Sequence, residues 1–172
     1  MTVQEKVVQV TLKGNPVTLL GSAVKVGQQA PDCVLVANDL SEKKLTSFKG
    51  KICILSVVPS LDTPICDLQT KRFNQEATQL GSGVIILTIS MDLPMAQKRW
   101  CGATGSSSII TLSDHREGAF GKAFGVLIKD LRLLARSIFI LDSDGKIRYS
   151  QICKEITQEP DYADALKAVK SV

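Results

Sequence analysis

The sequence is short of the residues that build metal sites. A single histidine, His115, stands among 172 residues, and the five cysteines contain no C-x-x-C pair. A tetrahedral zinc site therefore lacks its usual paired spacing. No apolar run approaches the roughly 20 residues that span a bilayer; the longest, such as Val84 to Leu87, are strand length. Near the start, Lys6 lies within alternating valine and glutamine, so no secretory signal is visible. Charge is nearly balanced, with 21 basic against 17 acidic residues and a net +4. The basic pairs Lys43–Lys44, Lys71–Arg72 and Lys98–Arg99 lie far apart, and no aromatics interleave with a basic stripe. Neither nucleic acid nor a membrane is expected as a partner. Repeats, low-complexity tracts and Pro/Gly/Ser-rich linkers are also missing.

Cys33, Cys53, Cys66, Cys101 and Cys153 are odd in number and widely spaced, which argues against a secreted disulfide framework. A cytoplasmic location follows as the expectation. There most thiols stay reduced, and a disulfide is more often catalytic than structural. Cys53 lies in an apolar run and reads as buried and inert, and Cys33 as similar. Cys153 stands beside Lys154 and Glu155 and reads as the most exposed of the three.

What is present is a globular composition, 44% hydrophobic and 22% charged, which excludes a disordered chain, a collagen-like repeat and a coiled coil. A chain this long buries roughly 70% of its unfolded surface, so a single domain over residues 1–172 is expected. Residues 1–20 read as an N-terminal β-hairpin extension, with Val8, Val10 and Leu12 on one side and a turn at Gly14-Asn15-Pro16. A short strand is expected at Cys33 to Val36. Ile52 to Val58 and Val84 to Ser90 are near-continuous apolar runs, as in strands covered on both faces. Each leads into a helix start, Asp62-Thr63-Pro64 and Asp92-Leu93-Pro94, where proline's missing N–H costs nothing. The first helix should run to about Leu80, with Ile65, Leu68, Phe73, Ala77 and Leu80 at roughly helical spacing. The second should end near Gly102. Ser137 to Leu141 and Lys146 to Cys153 flank the turn Asp142-Ser143-Asp144-Gly145, and Pro160 to Lys170 closes as an amphipathic helix. This order predicts an α/β fold, a mixed central sheet flanked by helices. Ligands collect beyond the carboxyl ends of such strands, which directs attention to Pro59 to Cys66.

Cys66 follows Pro64 by two residues, in the first turn of that helix, where unpaired N–H groups and the helix dipole favour an anion. A thiol so placed can fall well below its free pKa of about 8.5. Thr63 could cap the helix, contact the sulfur, or do both. From position alone, a core cysteine that happens to begin a helix reads equally well.

The segment Pro59-Ser60-Leu61-Asp62-Thr63-Pro64-Ile65-Cys66-Asp67 resembles the peroxidatic segment of peroxiredoxins, P-x-x-x-T-x-x-C. Gly14-Asn15-Pro16-Val17, Arg99-Trp100-Cys101-Gly102, Leu134-Ala135-Arg136 and Glu159-Pro160-Asp161-Tyr162 narrow the resemblance to the thiol peroxidase subfamily, an atypical two-cysteine group. The resemblance implies a thioredoxin-like fold and a peroxidase that reduces hydrogen peroxide and organic hydroperoxides, with no cofactor and no metal. It implies that Cys66 attacks the peroxide and that Arg136 holds the thiolate. Thr63 would place the substrate, and Pro59 would exclude water. By itself Arg136 would read as a surface charge, and Pro59 as the end of a strand. The same resemblance makes Cys101, otherwise a structural cysteine, the partner in an intrachain Cys66–Cys101 disulfide reduced by thioredoxin, and suggests a homodimer. Because that disulfide needs Cα atoms about 4.4–6.8 Å apart, cysteines on two packed helices should stand apart when reduced, and parts of both helices should unwind. Gly102, Gly105 and Ser106 to Ser108 would ease this. Two other readings compete: a Cys–His hydrolase using Cys66 and His115, with no acyl-transfer motif beside it, and a non-enzymatic redox sensor.

Overall fold

In the computed structural model, residues 5–172 are described, with side chains from residue 9 onward, so the side chain of Val8 lies outside the described residues. β1 (Glu5–Leu12) and β2 (Asn15–Leu20) form the expected hairpin. Its turn is Lys13-Gly14, one residue earlier than the sequence suggested. Both residues have positive φ, 50° and 80°, the turn geometry that matches the twist of paired strands. Asn15 and Pro16 already belong to β2, opposite Leu12 and Thr11.

A seven-stranded mixed sheet forms the centre, in the order β10-β9-β5-β6-β7-β3-β4. Its strands are β3 (Val34–Ala37), β4 (Glu42–Lys44), β5 (Ile52–Val57), β6 (Val84–Ser90), β7 (Ile110–Ser113), β9 (Ser137–Leu141) and β10 (Ile147–Ile152). β5, β6 and β7 run parallel, and β9 lies antiparallel to β5. The two apolar runs are the central strands β5 and β6, and alternate residues serve opposite layers. Leu55, Val57, Leu87 and Ile89 join Phe120, Phe124 and Phe139 on one face; Ile54 and Ile86 join Phe73 and Trp100 on the other.

The first face also carries α3 (Ala119–Phe124) and a small second sheet in which β2 pairs with both β1 and β8 (Leu127–Ile128). Close approach there depends on Gly21, where a Cβ would collide with the Lys122 carbonyl oxygen. The other face carries α1 (Pro64–Ala77), α2 (Pro94–Thr104) and α4 (Tyr162–Lys170). α1 stops at Ala77, short of Leu80, while α2 continues through Gly102 to a left-handed cap at Gly105. Among the described residues no helix is long and apolar enough to cross a membrane.

The buried stripe of α1 differs from the sequence reading. It is Cys66, Gln69, Thr70 and Phe73, whereas Leu68 is 51% exposed. These positions are the i, i+3, i+4, i+7 face of one helix, and two of them are polar. They pack over the carboxyl end of β5, where they find polar partners.

Candidate active site

The loop between β5 and α1 is held by a carboxylate from the neighbouring crossover. Asp92 accepts from Ser60 Oγ at 2.7 Å, from the Leu61 N–H at 2.8 Å and from Ser90 Oγ at 2.8 Å. Pro59 is buried at the head of this loop. Thr63 is the N-cap residue of α1 by backbone position, but its side chain accepts no capping bond. Its hydroxyl instead donates back to the Ser60 carbonyl at 3.0 Å. With its proton committed there, the Thr63 oxygen is left as an acceptor. No bond joins it to the Cys66 sulfur among the described residues.

The structure brings Cys66 and Arg136 together, 70 residues apart. Cys66 is fully buried, and Arg136 Nη2 donates to its sulfur at 3.3 Å. Arg136 lies just before β9 and is only 2% exposed. Its Nε donates to the Ile156 carbonyl at 2.8 Å and its Nη1 to Gln69 Oε1 at 2.9 Å. Its own carbonyl accepts from the Cys153 N–H at 2.9 Å, which fixes the backbone. Stripping water from a guanidinium costs several kcal/mol unless partners replace it. Among the described residues no carboxylate pairs with Arg136, so both protein acceptors are neutral and the remaining one is sulfur.

Gln69 belongs to no motif that the sequence displays. It is fully buried, and its Nε2 donates to Ser56 Oγ at 2.9 Å, so the amide ties Arg136 to β5. Its spacing of i+3 from Cys66 was the available signal, since that places both on one helix face. Asp92 reads in the sequence only as part of a helix start, because Ser60 and Leu61, the partners it holds across the site, come from another loop.

Cys101 stands on α2, half-buried, and both it and Cys66 are free thiols. The Cys101 sulfur lies 3.7 Å from Thr111 Oγ1, whose own proton goes to Asn38 Oδ1 at 3.0 Å. Burial pushes the Cys101 thiol up from its ordinary value, and the Thr111 contact offsets part of this. The two helices are tied by Trp100 Nε1 to Asp67 Oδ1 at 3.0 Å and by the Ser108 N–H to Asn74 Oδ1 at 3.0 Å.

The remaining cysteines stand away from solvent. Burial pushes Cys33 up to about 12, with Asp114 and Asp32 adding to it, and Cys53 up to about 11. Cys153, expected to be exposed, is only 7% so. It points inward while its neighbour Lys154 points out, and burial raises its thiol against an opposing pull from Arg136. His115 is half-buried, and its Nδ1 shares a hydrogen bond with Ser113 Oγ at 2.9 Å. No bond links it to Cys66, so the structure builds no Cys–His pair from these two. Among the described residues no group of three or more acidic, cysteine or histidine side chains could hold a metal ion.

Comparison with known proteins gives the chain's relatives. The redoxin family pattern matches residues 25–166. The thiol peroxidase of Bacillus subtilis strain 168 is 55% identical over 164 residues, covering 95% of this chain and 98% of that protein. The thiol peroxidase of Oceanobacillus iheyensis is 56% identical over 157 residues, covering 91% and 95%. A peroxiredoxin-like protein from Aquifex aeolicus, solved by crystallography, superposes with a TM-score of 0.88 at 44% identity, covering 94% and 95% of the two chains.

Proposed function

Because the chain belongs to the redoxin family, and within it to the thiol peroxidase subfamily of the peroxiredoxins, we propose that it is a peroxidase whose attacking atom is the Cys66 sulfur. The observation that carries this reading is the buried Arg136 guanidinium donating to that sulfur at 3.3 Å, with no carboxylate among the described residues to neutralise it. Attack needs the thiolate form, and a permanent cation at that distance would pair with it.

In the first step the sulfur bonds to the terminal oxygen of a hydroperoxide and the O–O bond breaks. The sulfur becomes a sulfenic acid, and the departing alkoxide or hydroxide takes a proton and leaves as alcohol or water. Thr63 Oγ1, its proton held by Ser60, accepts the O–H of the peroxide and aims the O–O bond at the sulfur. Arg136 is fixed on three sides before substrate arrives, so its charge meets the developing oxyanion without reorganisation. Pro59 closes the pocket against water.

In the second step Cys101 attacks the sulfenic sulfur. A Cys66–Cys101 disulfide forms, and hydroxide leaves with the thiol's proton as water. A dithiol protein of the thioredoxin class then reduces the disulfide by exchange, returning both thiols. Five free thiols suit a reducing compartment such as the cytoplasm. Exposed Leu68, Leu93 and Met95, on the two helices that carry the cysteines or at their ends, support a homodimer.

The test is turnover with hydroperoxide and a thioredoxin system. The wild type should consume many equivalents, whereas a sensor would oxidise once and stop. Cys66→Ser should consume none, and continued turnover in that variant would place the nucleophile elsewhere.

A further inference from the structure

The N-terminal hairpin takes no part in the chemistry above, yet its tip is fastened to the segment that carries an acceptor for Arg136. The fastening is Glu155, three residues beyond β10. Its Oε2 accepts from Thr11 Oγ1 at 2.6 Å and from the Gly14 N–H at 3.1 Å. Its Oε1 accepts from the Lys13 N–H at 3.0 Å and from the N–H and hydroxyl of Thr157 at 3.0 and 2.7 Å. A carboxylate offers about four lone-pair sites, and these two oxygens receive five donors. Led by the Thr11 hydroxyl, they hold the carboxyl far below the ordinary carboxylate range.

The main chain continues the same seam. The Thr11 N–H donates to the Lys154 carbonyl at 2.7 Å, and the Ile156 N–H donates to the Thr11 carbonyl at 2.9 Å. Ile156 is thus held through its own N–H and through the carboxylate of the residue before it. Its carbonyl then receives Arg136 Nε at 2.8 Å.

We propose that Glu155 is a positioning residue of the peroxidase, locking the hairpin tip onto residues 154–157 so that the Ile156 carbonyl holds the Arg136 guanidinium against the Cys66 sulfur. This rests on the roles proposed for Cys66 and Arg136. The hairpin thereby braces the one backbone acceptor that sets the roll of the guanidinium about its Nε. A carboxylate is needed because every group facing Glu155 is a donor. A glutamine amide would present its own N–H to some of them and leave those unpaired.

The experiment is a double-mutant cycle on the first oxidation of Cys66 by hydroperoxide, with iodoacetamide alkylation of Cys66 at neutral pH as a second readout. Glu155→Gln should slow both by roughly ten- to a hundredfold, the scale on which small misplacements act. In an Arg136→Met background the same change should alter either rate by less than about twofold, because the group it positions is gone. A general weakening of the fold would cost the same factor in both backgrounds. Thr11→Val, which removes the 2.6 Å donor and the same hydroxyl's 3.3 Å contact with the Lys154 carbonyl but spares the main-chain seam, should shift the rates in the same direction by a smaller factor. Unchanged rates in both single variants, or an undiminished Glu155→Gln effect without Arg136, would overturn the proposal. Failure of the underlying reading is distinguishable, since it appears as turnover surviving Cys66→Ser.

Discussion

Trp100 Nε1 donates to Asp67 Oδ1 at 3.0 Å, joining the residue before Cys101 to the residue after Cys66. The same carboxylate pairs with Lys71 at 2.8 Å one turn along α1. This bond therefore clasps together the two helical turns that carry Cys66 and Cys101. The disulfide proposed between them needs Cα atoms about 4.4–6.8 Å apart, and the expected outcome is that these turns unwind as it forms. The clasp belongs to the reduced state and should open in the oxidised one.

Trp100 is the only tryptophan in the chain, so its emission reports on the clasp. One equivalent of hydroperoxide should shift that emission as the disulfide forms, and a reductant should reverse it. Asp67→Ala should show part of the shift already when reduced. Removing about 1 kcal/mol of hydrogen bond should speed disulfide formation about fivefold. Identical emission in the reduced and oxidised wild type would mean that the clasp survives oxidation.

The three buried cysteines other than Cys66 should be chemically silent. At pH 8 the raised Cys33, Cys53 and Cys153 thiols stay protonated and shielded. Mass spectrometry after brief alkylation of the folded, reduced protein should find no label on Cys33, Cys53 or Cys153. A Cys33→Ala, Cys53→Ala, Cys153→Ala variant that folds should keep peroxidase turnover within about twofold.

Cys101 should titrate above its ordinary value while α2 is intact. Burial raises its thiol, so less thiolate is present at any pH below the shifted value, and alkylation should quicken as pH rises through it. In Cys66→Ser protein the midpoint of that rise should lie above that of a solvent-exposed cysteine. Thr111→Val removes the hydroxyl that lies against the sulfur and should move the midpoint. A midpoint that Thr111→Val leaves in place would show that Thr111 does not tune this thiol.

Gln69 offers a test of charge balance around Arg136. Gln69→Leu strands Nη1 and should cost about 1–3 kcal/mol of stability, read from denaturant unfolding. Gln69→Glu keeps the shape but puts a carboxylate where an amide oxygen lies 2.9 Å from the guanidinium. The new anion competes with the sulfur for one cation. Oxidation of Cys66 should slow by about tenfold or more while the unfolding midpoint is largely kept.

Much of the fold is legible because its signals are local. ICILSVV and VIILTIS have no polar alternation and form the doubly covered strands β5 and β6, and Pro64 and Pro94 mark both helix starts. What escapes depends on distant partners. α3 is six residues long, and its first N–H groups are satisfied by Asp114, whose carboxylate accepts from Phe120 and Gly121. β8 is two residues that pair with the hairpin. The buried stripe of α1 is hidden because Gln69 and Thr70 look like surface residues until Arg136, Ser56 and the Cys66 carbonyl are found beside them. Cys153 has charged neighbours in sequence, yet backbone alternation turns it inward. At the site, Cys66 and Arg136 are legible as motif residues, whereas the hydroxyl of Thr63 binds Ser60 rather than the sulfur.

The central claim is that one buried sulfur, held by Arg136, receives the peroxide oxygen. Cys101→Ser protein treated with one equivalent of hydroperoxide, trapped with a sulfenic-acid reagent and digested for mass spectrometry tests it most directly. The adduct should sit on Cys66 and should disappear when Arg136→Met is combined with the same brief exposure. An adduct on Cys33, Cys53 or Cys153, with Cys66 still a free thiol, would contradict the account.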